Sequence, residues 1–359
     1  MNKKILTDRL KAIQKLVNQK SLQALWVTNP VNIKYISGFS GSSATLLIGK
    51  KEAYLLTDFR YLSQAAVEAP CFEIYQVKED PVKDVKPLLE EKKWKKIGIE
   101  AKHLVVSAHS EMIEQLEVEL IPLRESAEKL RLIKNKSEQD ILRRGAGLLD
   151  KGFTFIQSVI RPGITEKDLA LDIEIFLRRL GAEGASFKYI VASGPRGAMP
   201  HGVASNKVIE TGEMVTIDFG AIFEGYSTDM TRTLAVGKTD QRMKEIYDIV
   251  YKAQKKAAAA VKPGMECREV DAVARKIIKT AGYGDYFGHG LGHGIGLETH
   301  EQPVVNRKGK TVLEPGMVIT IEPGIYIPEV GGVRIEDMVL VTENGHELLT
   351  NCPRELIVI

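Results

Sequence analysis

Apolar residues recur at helical spacing over roughly the first twenty positions, where Ile5, Leu6, Leu10, Ile13 and Leu16 share one stripe and predict an amphipathic helix. The period then shortens. Ala24 to Thr28 is an apolar run of strand length, and Asn32 to Ser43 reads as a small-residue loop. Ala44–Ile48 and Ala53–Thr57 flank Gly49-Lys-Lys-Glu52 as a hairpin, and Asp58 to Tyr61 leads into a further helix. Ile97–Glu100 and Val118–Leu123 add strands, so this part of the chain alternates between the two elements and predicts an α/β domain.

The charged stretch Glu125 to Lys136 is the expected junction, which places domains at 1–127 and 128–359. Ser137-Glu-Gln-Asp140 resembles a capping box opening a long helix. Beyond it the pattern repeats. Arg161-Pro-Gly-Ile-Thr precedes a helix ending at Gly181, and Lys262-Pro-Gly-Met-Glu precedes one ending at Gly282. Met214-Val-Thr-Ile-Asp-Phe-Gly220 is matched by Met317-Val-Ile-Thr-Ile-Glu-Pro-Gly324. Each half reads as two helices followed by strands. Two such halves facing each other predict an α+β domain with a pseudo-symmetric cleft.

Composition narrows the class. Hydrophobic content of 44% and charged content of 27% are those of a globular chain. A net charge of +3 with scattered basic residues argues against a nucleic-acid partner. Cys71, Cys267 and Cys352 are odd in number and far apart, which suits a reduced, cytoplasmic protein. The first residues carry charge every few positions, and neither a signal peptide nor a membrane span is expected.

The chemistry concentrates at Gly288-His-Gly-Leu-Gly-His-Gly-Ile-Gly-Leu-Glu-Thr-His300. A helical two-histidine metal motif is disfavoured there, because each interior glycine costs a helix about 1 kcal/mol. In an extended segment His289 and His293 stand about 13 Å apart at about 3.3 Å per residue, too far to share an ion. Ligands must therefore come from elsewhere. Asp218 follows the apolar run Val215-Thr-Ile, and Asp229 follows a glycine-containing turn. Glu322 follows Val318-Ile-Thr-Ile, and Glu336 lies in Gly331-Gly-Val-Arg-Ile-Glu-Asp. An ionised acid at the end of an apolar strand is costly to bury unless it is paired or metal-bound. Four carboxylates balance two divalent cations, and oxygen-rich ligation favours Mn²⁺ or Co²⁺ ahead of Zn²⁺ or Fe²⁺. Two ions about 3.5–4 Å apart can activate a shared water against a carbonyl.

The set Asp218, Asp229, His293, Glu322 and Glu336 resembles, in order and spacing, the metal centre of the pita-bread metallopeptidases, which include methionine aminopeptidase, aminopeptidase P and prolidase. Tyr35-Ile-Ser-Gly-Phe-Ser-Gly-Ser and Thr57-Asp-Phe-Arg-Tyr61 resemble the N-terminal domain of the creatinase/prolidase branch. The resemblance implies that Asp218 chelates one ion, Asp229 and Glu336 bridge both, and His293 and Glu322 complete the second. It further implies that Glu322 shuttles a proton and that His300 bonds the scissile carbonyl. His201 and His289 would line the pocket around proline, Phe187 would wall the pocket for the first residue, and Tyr326 and Arg334 would support the ligands. His103, His109 and His346 match nothing and are expected at the surface. Homodimers are common in this branch, and the small-residue loop Ser37 to Ser43 could cap a cleft.

A bond before proline has no N–H and a restricted preceding residue, which excludes most general peptidases. The expected substrates are therefore proline-containing peptides or dipeptides. One departure bears on which. Some prolidases carry an arginine four residues after the His300 equivalent, thought to bind a dipeptide's free carboxylate. Here that residue is Val304, with Arg307 nearby. The expectation leans to an Xaa-Pro aminopeptidase over an Xaa-Pro dipeptidase. A methionine aminopeptidase, or a metal-binding relative without turnover, is less favoured.

Overall fold

The computed structural model describes residues 3–359, which divide into two compact units, one ending at Arg131 and the other spanning Leu132–Ile359. The division falls inside the charged stretch Glu125 to Lys136 but after residue 131 rather than 127, so the short helix there goes with the first unit.

The first unit runs α1 (Lys3–Gln19), β1 (Ala24–Val27), α2 (Pro30–Ser37), β2 (Ala44–Gly49), β3 (Ala53–Thr57), α3 (Leu62–Glu68), β4 (Glu73–Gln76), α4 (Pro81–Lys92), β5 (Lys96–Glu100), α5 (Val106–Gln115), β6 (Glu119–Leu123) and α6 (Glu128–Arg131). Its mixed six-stranded sheet has the order β4-β3-β2-β1-β5-β6. The expected loop from Asn32 is instead the helix α2. Asn29 caps it by accepting from Val31 N, Pro30 opens it, and Gly38 ends it in the left-handed region at φ 86°.

The second unit opens with α7 (Lys136–Val159) and α8 (Glu166–Arg179). Strands β7 (Gly184–Ala185), β8 (Ile190–Ser193), β9 (Met214–Phe219), β10 (Ala221–Phe223), β11 (Tyr226–Ser227) and β12 (Met230–Ala235) follow. The second half has α9 (Gln241–Ala260), α10 (Cys267–Thr280), β13 (Gly292–Gly294), β14 (Glu301–Val305), β15 (Val318–Ile321), β16 (Gly324–Ile327), β17 (Gly331–Arg334), β18 (Asp337–Thr342) and β19 (Gly345–Leu348). The capping box of α7 is made by Asn135 and Glu138, two residues before the Ser137–Asp140 pair expected to form it.

The repeat is structural as well as sequential. β9 sits between β8 and β12, and β15 sits between β13 and β18, with antiparallel pairing throughout. The turn before each half's second helix places a glycine in the left-handed region, Gly163 at φ 94° and Gly264 at φ 87°. Isolated bridges recur at matching places, Thr165 with Val208 and Glu266 with Val312. Each half has its own core. Phe153, Ile173, Val215 and Ile217 belong to one, and Val250, Val270, Ile319 and Val339 to the other. Among the described residues no helix is long and apolar enough to cross a membrane.

Candidate metal centre and its cleft

β9 and β12 pair so that Thr231 lies opposite Asp218, and Asp229 immediately precedes β12. Glu322 follows β15, and Glu336 lies between β17 and β18. The alternation of strand side chains puts Asp229 and Thr231 on one face. The strands thus bring to one place acids that are far apart in sequence. Asp218, Asp229 and Glu336 are 8%, 5% and 1% exposed, His293 is buried, and Glu322 is half-buried.

One ligand atom each from Asp229, His293 and Glu336 lie within 4.8 Å of one another. The His293 Nδ1 faces Gly294 O at 3.0 Å and donates to it, which leaves the Nε2 lone pair free. That nitrogen faces Asp229 Oδ2 at 3.7 Å and Glu322 Oε1 at 3.5 Å. Asp218 Oδ1, Asp229 Oδ1 and Glu336 Oε1 are buried without any hydrogen-bond partner. Unsatisfied buried oxygens are rare in proteins, and three on acids that line one cavity with a free imidazole nitrogen fit a divalent cation.

The electrostatics agree. Burial, with the charges of Glu336, Asp218 and Glu322, pushes the Asp229 carboxyl well above its ordinary range. Burial, with Glu322 and Asp218, does the same to Glu336. Burial and the Asp218 charge raise Glu322 to about 8, against the pull of Arg334. Burial and neighbouring His300 lower His293 to about 4. The cluster therefore disfavours ionised acids and a protonated imidazole alike, and bound divalent cations reverse the first and match the second.

Arg334, 3% exposed, organises the acids. Its Nη2 donates to Asp218 Oδ2 at 2.7 Å, and its Nε donates to Thr231 Oγ1 at 3.0 Å. Its Nη1 donates to Pro200 O and to Tyr326 Oη, both at 3.0 Å. Thr231 Oγ1 donates in turn to Glu336 Oε2 at 2.7 Å. His289 Nδ1 donates to Gly290 O at 2.7 Å, and Nε2 accepts from Tyr326 Oη at 2.9 Å. Both His289 nitrogens are thus engaged by protein, and burial with Arg334 lowers its pKa to about 4.

A cavity of about 380 Å³ opens over the cluster. Phe187, His201, His289, His300 and Arg334 line it with the five acid and imidazole positions, whereas Tyr326 does not line it. His300 is exposed, with its ring centroid 4.3 Å from that of His293. His201 is exposed in the loop after Pro200. His346 is half-buried and its Nδ1 donates to Val261 O at 3.0 Å, so it is not the surface residue expected. The glycines of the histidine stretch admit neighbouring strands. A Cβ on Gly292 would lie 1.9 Å from Thr320 O, and one on Gly294 2.0 Å from Gln302 O. Sequence reasoning missed Thr231, whose signal is its place two residues after Asp229 on the same strand face.

A pseudo-symmetric α+β unit whose halves each supply two acids to one cleft is the architecture of a metal-dependent hydrolase of the pita-bread class. The chain belongs to metallopeptidase family M24, whose model matches residues 140–343, and residues 9–133 match the creatinase/prolidase N-terminal domain. A solved Xaa-Pro dipeptidase from Bacillus anthracis is 45% identical, superposes with a TM-score of 0.97, and is covered over 99% of this chain and 100% of its own. An Xaa-Pro dipeptidase from Pyrococcus furiosus is 41% identical over 98% of this chain and 100% of its own length. A solved X-Pro aminopeptidase from Thermotoga maritima is 36% identical, with a TM-score of 0.89 over 97% of this chain and 100% of its own.

Proposed function

We propose that this metallopeptidase is an Xaa-Pro dipeptidase, releasing the N-terminal residue from proline dipeptides at a site held by Asp218, Asp229, His293, Glu322 and Glu336. The observation that carries the reading is the cluster of Asp229, His293 and Glu336 ligand atoms within 4.8 Å, in a cavity of about 380 Å³ lined by acids with three partnerless oxygens. We assign residues 128–359 to catalysis. The lean towards an aminopeptidase is given up, because the relatives named Xaa-Pro dipeptidase stand at 41% and 45% identity and the named aminopeptidase at 36%.

When bound, two divalent ions supply a Lewis acid and a water acidified enough to act as nucleophile. The chain's own residues do the rest. Arg334 and Thr231 fix the oxygens of Asp218 and Glu336, so the ligand set needs little reorganisation. Glu322 suits the proton shuttle, because its carboxyl titrates at about 8 in the metal-free site and lies beside His293. It accepts the proton of the attacking water and delivers it to the proline nitrogen as the C–N bond breaks. Exposed His300 donates to the carbonyl oxygen as it gains charge. Phe187 and the ring faces of His201 and His289 enclose the substrate.

The test is product analysis of the purified protein on Leu-Pro, Leu-Pro-Gly and Met-Ala with Mn²⁺, Co²⁺ or Zn²⁺. Release of leucine from Leu-Pro in preference to Leu-Pro-Gly is expected. Cleavage of Met-Ala alone, or tight metal binding without hydrolysis of any peptide, would overturn the reading.

A further inference from the structure

A dipeptide brings a carboxylate into the cleft one residue beyond the bond that breaks. That charge needs a cation to remain in a cavity already lined by four acids. Two permanently charged side chains line this cavity, Arg334 and Lys188. Arg334 is buried and committed, with four hydrogen bonds to Asp218, Thr231, Pro200 and Tyr326. Val304 also lines the cavity and offers no charge, and Arg307 is not among the lining residues.

We infer that Lys188 is the carboxylate anchor that makes this chain a dipeptidase, an assignment that rests on the Xaa-Pro reading above. Lys188 lies in the short extended link between β7 and β8, next to Phe187. It is exposed, and among the described residues no acid or carbonyl holds its ammonium. It also lines a second, more open hollow that shares Phe187 and Val203 with the first, so it stands where the two meet. An ammonium on a flexible four-carbon stem at that rim can follow a carboxylate into the cleft. The anchor discriminates by charge: it favours a free carboxylate over the neutral amide of a longer peptide.

The experiment compares wild type, Lys188→Met and Lys188→Arg on Leu-Pro, Leu-Pro-amide and Leu-Pro-Gly. Lys188→Met keeps the apolar stem, and the exposed position spares the fold. It is expected to raise KM for Leu-Pro about tenfold with kcat within a factor of two, and to leave Leu-Pro-amide unchanged. Lys188→Arg is expected to restore KM for Leu-Pro. Equal effects on dipeptide and amide, or no effect on either, would overturn the anchor while leaving Xaa-Pro hydrolysis standing. Wild type that cleaves Leu-Pro-Gly but not Leu-Pro would overturn it too. Wild type that cleaves none of the three would overturn the parent reading with it.

Discussion

His289 sits in the cleft wall, but its backbone is held from behind by a helix. Asp271 and Arg275, one turn apart on α10, form a bidentate ion pair at 2.7 Å. Arg275 also donates to Phe287 O at 2.9 Å and to His289 O at 2.8 Å, and Asp271 Oδ1 accepts from Leu291 N at 3.2 Å. The guanidinium lies 4.2 Å from the Phe287 ring centroid. Replacing Arg275 by Met keeps the stem and removes every polar contact. It leaves the Asp271 carboxylate, 1% exposed, with one backbone donor, and strips two carbonyls of their donor. Removing one partner of a buried pair costs about 3–5 kcal/mol. The Arg275 side chain is 14% exposed, so water can reach part of the vacated space and about 3 kcal/mol is expected.

The assay is urea unfolding of Arg275→Met, Asp271→Asn and the double variant. The double variant is expected to lose less than the sum of the singles, with a coupling of about 2 kcal/mol. With Phe287 to Leu291 released, the His289–Tyr326–Arg334 chain loosens. kcat/KM is then expected to fall more than tenfold, which corresponds to about 1.4 kcal/mol at the transition state. A stability loss under about 1 kcal/mol together with kcat/KM within twofold of wild type would refute the clamp.

Three further outcomes follow from the site. Asp229→Asn is expected to lower bound metal, measured by elemental analysis. At pH 8 it should nonetheless stabilise the metal-free protein, because the amide escapes both the burial of a charge and its repulsion by Glu336, Asp218 and Glu322; a less stable metal-free variant would contradict this. His289 and His293, held near pKa 4 by burial, take up protons on unfolding between about pH 6.5 and 4. For these two groups the unfolded state binds more protons in that window, so they make stability rise with pH, whereas Asp229, Glu322 and Glu336, raised by burial, hold protons on folding and make it fall. His289→Gln removes one histidine contribution and is therefore expected to steepen the loss of metal-free stability as pH rises from about 4 to 6.5, and an unchanged slope of the urea midpoints would contradict it. Glu322→Gln is expected to abolish turnover in a folded protein, and His300→Ala to lower kcat more than it raises KM; steady-state kinetics with near-normal kcat in either would remove its assigned role.

Elements with strong periodicity were legible in the sequence, and so were the acids that line the cleft, because an acid after Val-Thr-Ile or Val-Ile-Thr-Ile is a local signal. The helix α2 was hidden by the small residues after Ser37, although Asn29, Pro30 and Gly38 carry its start and stop. The supports of the site were not legible, for a physical reason. Thr231 meets Glu336 only because β12 runs alongside the segment that carries it, with Glu336 N donating to Thr231 O at 3.0 Å. Arg275 meets His289 only because α10 packs behind it. Such contacts depend on register and helix packing, which no local pattern records. Lys188 was invisible for the opposite reason: an exposed lysine is ordinary until a cavity is found beneath it.

The pseudo-symmetry explains how the cleft came to be unequal. Asp218 and Glu322 end matched strands, and Asp229 and Glu336 precede matched strands, so the acids are shared evenly between the halves. The histidines are not. β13 carries His293 where its counterpart β8 has only Ile190, Val191, Ala192 and Ser193. A symmetric four-acid cluster would hold cations with no preferred side for the substrate. We propose that His300, placed in the second half with His293, gives the centre a donor suited to a carbonyl gaining charge. The first half contributes Phe187, Lys188 and His201 to the cavity lining. The acids thus follow the symmetry of the fold, and the histidines and the lysine around them break it.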